Sequence, residues 1–403
     1  MTETPVQINY PSLEGAECPY PQYEWLREDQ PVYRIPGTTD FLVTRYEDAA
    51  QVARDWKVFS SVGSRTAHNP FSETGMSKET QSLVEADPPS HRDKRNLCAE
   101  AFKPKKLAAQ VPTITAICDS LIDDFIDKGE VDLVAEFAEH IPPRVVARML
   151  GFTESDFDWL NGWSRVDNSG LSFLPKDVQE RSRVAASRAT EHLIEAIEAR
   201  RDAPTGDELS DMIQRHVERD GQFDLDYILD NTVTLIRGGV ITTAHTIATI
   251  MLLLLQNPAE MQRVRADNRR IATVAEESLR IESPTQWVPR RVTTDTELGG
   301  QHIPAGSRVL IMVGAANRDE REFTDPTRFD ADRKSAVPHM AFGAGNHFCL
   351  GAPLARLEIK IAFERLLTRL SDIRLAEGQD FSHVASAQFR GLNELRLAFT
   401  RSS

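Results

Sequence analysis

Cysteine is scarce in this chain. The four present, Cys18, Cys98, Cys118 and Cys349, are scattered and form no C-x-x-C pair. That excludes a disulfide framework or zinc finger and fits a reducing compartment, the cytoplasm. A basic excess is lacking too: 61 acidic side chains against 47 basic ones give a net charge of -14, so nucleic acid is not an expected partner. Met1 to Glu14 carry neither a basic leader nor an apolar segment, so no secretion signal or membrane anchor is expected. No apolar run reaches the ~20 residues that cross a bilayer, and the most apolar, Ile247 to Leu255, reads as buried helix. Repeats, low-complexity tracts and linkers are missing as well, so residues 1–403 are expected to form a single domain.

What the sequence does supply is helical periodicity. Lys105 to Asp127, Val131 to Leu150, Asp177 to Arg200, Asp226 to Gln256, Pro258 to Ile281 (with room for one break) and Ala352 to Leu370 all read as helix. Two hairpins are expected, one of Val32 to Ile35 with Phe41 to Thr44 about Gly37, the other within Arg291 to Val313. The fold class is therefore mainly α with a small β-sheet portion. Asp226 to Gln256 is apolar on every side, the mark of a helix running through the middle of a protein. Asp224 or Asp226 is placed to cap its start, and Asn257-Pro258 to end it.

The chemistry concentrates in Phe342-Gly343-Ala344-Gly345-Asn346-His347-Phe348-Cys349-Leu350-Gly351. This segment sets one cysteine on a glycine-rich loop directly before a helix. Gly343 and Gly345 permit the positive-φ turns that aim backbone amides at a sulfur. A thiolate held in that way suits heme iron. The plainer reading of Cys349 is a small buried hydrophobe.

The segment resembles the heme-binding signature of the cytochrome P450 family at each specified position: Phe342, Gly343, Gly345, His347, Cys349 and Gly351. The resemblance spans about Asp87 to Gly391. It implies a cytochrome P450 fold with a long central helix over the cofactor, heme b (iron protoporphyrin IX), and Cys349 as the metal ligand. His91 and Arg95, four residues apart after Asp87-Pro88-Pro89, resemble the family's HxxxR element. With Arg291 and His347 they are the implied donors to the heme propionates. The competing readings are a solvent-facing pair for His91 and Arg95 and a satisfied loop histidine for His347. Glu277 and Arg280 match ExxR, and Arg328 in Pro326-Thr327-Arg328-Phe329 is the implied third partner in a structural network.

Gly238, Gly239 and Thr242 fall where the family places its oxygen-activating groove, so they are the implied catalytic residues. The Thr242 hydroxyl is expected to bond the Gly238 carbonyl and open the helix ladder. Ile241 stands where the family usually carries Asp or Glu. Either ordered water and Thr242 suffice for proton delivery, or the reaction has unusual proton demands. Arg237 is a cation in an apolar helix and must meet a substrate carboxylate, an acidic side chain or a propionate.

The implied function is a heme-thiolate monooxygenase that inserts one atom of dioxygen into a small, oxygenated or anionic organic substrate, by hydroxylation or oxidative dealkylation. Alternatives are oxidative coupling, peroxide-driven oxidation, or a heme-binding sensor without turnover. No flavin or iron–sulfur motif is seen, so electrons are expected from a separate ferredoxin and NAD(P)H-dependent ferredoxin reductase. Arg92, Lys94 and Lys105 are plausible contacts, with a solvated helix face as the other reading of that basic stretch. Substrate candidates are Arg237, Thr234, Val288 and Phe389, with Ser60 to Glu85 (including Arg65 and His68) and Leu160 to Asp177 as flanking segments.

Overall fold

The structure is a computed structural model, and it describes residues 8–10, 12–64, 82–153, 156 and 176–402. The expectations placed on Arg65, His68 and most of Leu160 to Asp177 lie outside the described residues.

The central helix, Leu225–Gln256, organises the rest. The Asp224 carboxylate accepts from the Tyr227 amide (3.0 Å) and so caps its start. Asn257 and Pro258 end it, and the next helix begins at once, Pro258–Ala266, then Ile271–Ile281 after a break. By length and composition this helix could cross a bilayer, but half of its most apolar stretch is buried inside the protein. Its second half, with Ile247, Met251 and Leu254, packs into a core shared with helices Pro104–Phe125 and Ala352–Arg369. Its first half, with Ile228, Leu229 and Ile236, joins a second core with Leu193, Ile197 and Met212. Apolar residues all round one helix thus serve two cores.

The main sheet has five strands in the order β1-β2-β8-β5-β3: Val32–Arg34 (β1), Asp40–Val43 (β2), Phe59–Ser60 (β3), Val288–Val292 (β5) and Arg308–Ile311 (β8). β1 and β2 form the first expected hairpin, with Val32 opposite Val43, and β2 runs parallel to β8. Inside the second, β5 pairs antiparallel with β8 while Thr296–Leu298 (β6) and Gln301–Ile303 (β7) make a small inner hairpin. The mainly helical fold with minor sheets is as expected.

Val131 to Leu150 is not one helix. Glu130–Asp132 is a strand (β4) paired with Arg396–Arg401 (β10), which also pairs with Leu370–Leu375 (β9), and two helices follow, Leu133–Glu136 and Ile141–Met149. The Asp132 carboxylate caps the first and Pro142 opens the second. Local capping and proline chemistry override the apolar period.

Candidate active site

The cysteine loop is built as its glycines dictate. Gly343 and Gly345 adopt φ of 71° and 66°, values a side chain would resist. The Cys349 amide donates to the Phe342 carbonyl (2.7 Å) and closes the loop into a bay. Burial pushes the Cys349 thiol up, while the amides of Gly351 and Ala352 and the cations Arg95 and Arg356 pull the other way by stabilising its anion. Gly351 opens helix Ala352–Arg369, and its Cα lies where a side chain would touch both Phe102 and the Cys349 sulfur.

A second network stiffens the ring of Phe342. The Arg356 guanidinium lies 4.4 Å over that ring and grips Glu276 with two hydrogen bonds of 2.7 and 2.8 Å. His339 pairs with the same carboxylate at 3.1 Å. Burial alone would raise the Glu276 pKa, but Arg356 and His339 bring it down to about 2. Sequence reasoning missed Glu276, His339 and Arg356. Their signal was the Glu276-Glu277 doublet and a cation one turn past Gly351.

Glu277 and Arg280 form the expected buried pair, at 2.7 and 2.8 Å. Arg280 also donates to the carbonyls of Asn317 (2.9 Å), Pro326 (2.8 Å) and Arg328 (3.3 Å), so the irregular chain beneath the cysteine loop is tied to helix Ile271–Ile281. The third guanidinium is not that of Arg328, which is exposed. It is Arg333, whose Nε donates to both Glu277 oxygens at 3.0 and 3.1 Å and whose Nη2 donates to the Arg328 carbonyl at 2.7 Å. Arg328 enters only through its backbone, because the chain turns its side chain outward and brings Arg333 back five residues later.

His91, Arg95 and His347 come together, as expected. The rings of His91 and His347 lie 4.2 Å apart, and His347 Nε2 meets Ser61 Oγ at 2.9 Å. Arg291 is not with them. It is exposed, beside Gly63, and its neighbour Arg290 is the buried one that faces both histidines. Successive residues of a strand face opposite ways, so a displacement of one position reverses the side. Burial, with Arg290, His91 and Arg95 alongside, pushes the His347 pKa down to about 3. His91 Nε2 is buried without a hydrogen-bond partner. The neighbouring carboxylate, Asp87, is already engaged by Ser60 and the Ser61 amide. Crowded donors and a single occupied acid make a site for an external anion. A cleft of about 650 Å³ beside them is lined by Trp56, Pro88, His91, Arg92, Arg95 and Gly345.

On the central helix the two glycines differ. A Cβ on Gly239 would come within 2.8 Å of Val146, so this glycine lets helix Ile141–Met149 pack close. One on Gly238 would meet nothing within 4 Å, so its flank is an open cradle. Thr242 is half-buried, and the expected opening of the ladder is not seen: residues 225–256 form continuous α-helix. The threonine that bonds back is Thr246, whose hydroxyl donates to the Thr242 carbonyl at 2.7 Å. Thr234 likewise bonds the Asp230 carbonyl. Arg237 is half-buried, less enclosed than its apolar helix implied, and already interacts within the protein. Val288 begins β5, and Phe389 bridges Thr285 in backbone pairing.

A model of the family described as Cytochrome P450 matches residues 2–380. The chain belongs to the cytochrome P450 family. It is 34% identical over 361 residues to Cytochrome P450(MEG) of Priestia megaterium, covering 88% of this chain and 87% of the relative. It is 36% identical over 366 residues to mycinamicin IV hydroxylase/epoxidase of Micromonospora griseorubida, covering 88% of each. Among solved structures, CYP109E1 from Bacillus megaterium in complex with testosterone superposes with a TM-score of 0.86 at 29% identity, over 96% of this chain and 99% of that one. The protein is a P450 monooxygenase whose cofactor is heme. The donor chemistry fits that group, with one thiol in an amide-lined bay and a cationic cluster with an orphaned histidine nitrogen for its acidic groups.

Proposed function

We propose that this P450 hydroxylates or oxidatively dealkylates a small, oxygen-bearing organic molecule in the cytoplasm. Cys349 holds the iron and His91, Arg95, Arg290 and His347 hold the propionates. The heme, when bound, supplies the activation of dioxygen, which a thiolate ligand favours. The observation that carries the reading is the amide-lined Cys349 bay beside a cluster of His91, Arg95, Arg290 and His347 in which His91 Nε2 is buried without a hydrogen-bond partner. The chain's own residues do the rest. Glu276, Arg356 and His339 fix Phe342 against the cysteine loop, and Thr242 offers a hydroxyl beside the Gly238 cradle. The substrate class is supported by the names of two relatives, a hydroxylase/epoxidase of mycinamicin IV and a protein bound to testosterone.

Electrons come, on this reading, from a separate ferredoxin and its NAD(P)H-dependent reductase. The support is the exposure of Arg92 and Lys105, with Lys103 paired to Glu100 beside them, and of Phe348, 41% exposed on the cysteine loop. Lys94 does not belong to that face, being buried at 3% exposure with its ammonium 4.2 Å over the Tyr227 ring. Lys106 is occupied by Glu208 and Asp211.

The test is a panel of steroids, macrolides and their deoxygenated analogues, screened for a shift in heme absorption. Hits are then incubated with NAD(P)H and a surrogate ferredoxin pair, and products are weighed. A gain of one oxygen, or loss of an alkyl group, supports the reading. Binding without NAD(P)H consumption points to a sensor, and product formed only with added peroxide points to the peroxide-driven alternative that Ile241 suggests.

A further inference from the structure

Monooxygenation consumes two protons and two electrons with each dioxygen, leaving one oxygen in the product and one in water. Protons must therefore reach the Gly238–Thr242 groove, and the position before Thr242 is the apolar Ile241. His245 follows Ile241 by four residues and Thr242 by three, so all three side chains share one face of the central helix. It is an ionisable group on that face, 7% exposed, and its Nδ1 is buried with no hydrogen-bond partner. A buried histidine nitrogen without a partner is costly unless a mobile proton or water serves it.

The other side of the ring leads outward. Its Nδ1, Cγ and Cδ2 pack so tightly on Gly391 that a Cβ there would lie 2.2–2.6 Å from them. Gly391 is glycine because the ring occupies the space of a side chain. The Gly391 carbonyl accepts from the Val384 amide (2.9 Å), and His383 bridges Leu392, so the backbone of His383 is paired beside the segment that His245 packs on. His383 meets Glu17 at 2.7 Å, a pair whose carboxylate side chain is 51% exposed. The charged or titratable groups at this end are thus His383, which acts on His245 electrostatically, and Glu17 behind it.

We propose that His245 relays protons from the surface pair Glu17–His383 to the Thr242 hydroxyl, standing in for the carboxylate that Ile241 displaces. A proton arrives at the unpartnered Nδ1 from the His383 side, the Nε2 proton of the imidazolium so formed leaves toward the groove, and tautomer exchange restores the ring. No net charge stays in the core. Burial holds the ring neutral at rest, with its pKa pushed down to about 4, so an imidazolium formed in passing gives up its extra proton readily. His245 acts through Thr242 and is a positioning and relay residue rather than a group that touches substrate.

The inference rests on Thr242 as the oxygen-side hydroxyl, and its test has one arm that needs no turnover. In the diamagnetic ferrous carbonyl holoprotein, with ring-¹⁵N histidine, the His245 ring proton should exchange with solvent fast, and His383→Gln should slow it at least about 10-fold. Equal exchange in both proteins overturns the relay. In the second arm, with a substrate in hand, His245→Phe should lower product formed per NAD(P)H by about 10²-fold, the low end for a positioned acid or base. His245→Phe with Ile241→Asp should recover much of it, which a purely structural histidine would not allow. Unchanged coupling in His245→Phe, with its heme spectrum intact, contradicts the proposal. Fast, His383-dependent exchange with unchanged coupling would mean a proton path that the groove does not use, and it too sinks the relay.

Discussion

The cysteine side of this P450 and its central-helix side are fixed by different forces. Beneath Cys349 the chain is irregular, and it is held by charge: Glu277 meets Arg280 and Arg333, and Glu276 meets Arg356 and His339. Above it, a continuous helix is held by apolar packing into two cores, and its polar side chains Asn231, Thr232, Thr234 and Thr246 bond back to its own carbonyls. The difference teaches where chemistry is tolerant. A loop with no ladder of its own needs ion pairs to have one shape, and in the buried set of Glu277 with Arg280 and Arg333 each partner is indispensable. A helix carries its own hydrogen bonds, so single residues such as Ile241 are free to vary and the proton path can move elsewhere.

The largest expected effect breaks the charged side. Glu277→Ala strips Arg280 and Arg333 of their shared carboxylate, a loss of about 3–5 kcal/mol for a broken buried pair. Insoluble or heme-free protein is the expected result. Soluble holoprotein with full heme content would mean that apolar packing alone holds the irregular stretch, and the contrast between the two sides would fail.

On the helix side, pH is the probe. Burial pushes the His245 pKa from 6.5 down to about 4. The unfolded ring takes a proton as the pH falls past 6.5 while the folded ring does not until about 4. The stability from keeping it neutral is therefore full above pH 6.5 and is lost progressively down to about 4, a change on the order of 3 kcal/mol. Urea unfolding of wild type and His245→Phe between pH 7 and 4.5 should show wild type losing more. Parallel curves would place His245 in contact with water.

Arg290 and Arg291 sharpen the comparison, since adjacent residues lie on opposite faces of one strand. Arg290→Leu should weaken heme retention by about 1.5–3 kcal/mol, the range for hydrogen bonds to charged groups, while Arg291→Leu should leave it nearly unchanged. Heme transfer to apomyoglobin measures both, and the reverse ranking would reject the observed register. The smallest effects are at the two glycines. Gly239→Ala forces Val146 aside, at about 1–3 kcal/mol for overpacking. Gly238→Ala should match or exceed wild-type stability, by up to ~1 kcal/mol of helix propensity, yet alter the heme spectrum. Thermal melts that rank the two the other way would deny Gly238 its open flank.

How far the sequence was legible follows the same division. Cys349, Glu277 and Arg280 stood out because each sits in a short motif whose spacing is its geometry. Helix boundaries followed from Asp224, Asn257 and Pro258 for the same local reason. What failed depended on the third dimension. Arg333 replaced Arg328 because an irregular chain has no period to count by, and Arg290 replaced Arg291 because one residue decides a strand's face. The strand at Glu130–Asp132 was hidden since β4 finds its partner in β10, far along the chain. His245 was unreadable for the same reason: only the fold lays it on Gly391.

Cys349, the proposed thiolate ligand, is the residue that the charged side holds in place. The most direct measurement is the carbonyl spectrum of the reduced protein, wild type beside Cys349→His, at equal heme content. Wild type should show the red-shifted band that thiolate ligation produces, and the variant should keep heme but lose that band and its turnover. An unchanged band in Cys349→His would mean that another residue binds the iron, and the reading of this site would be wrong.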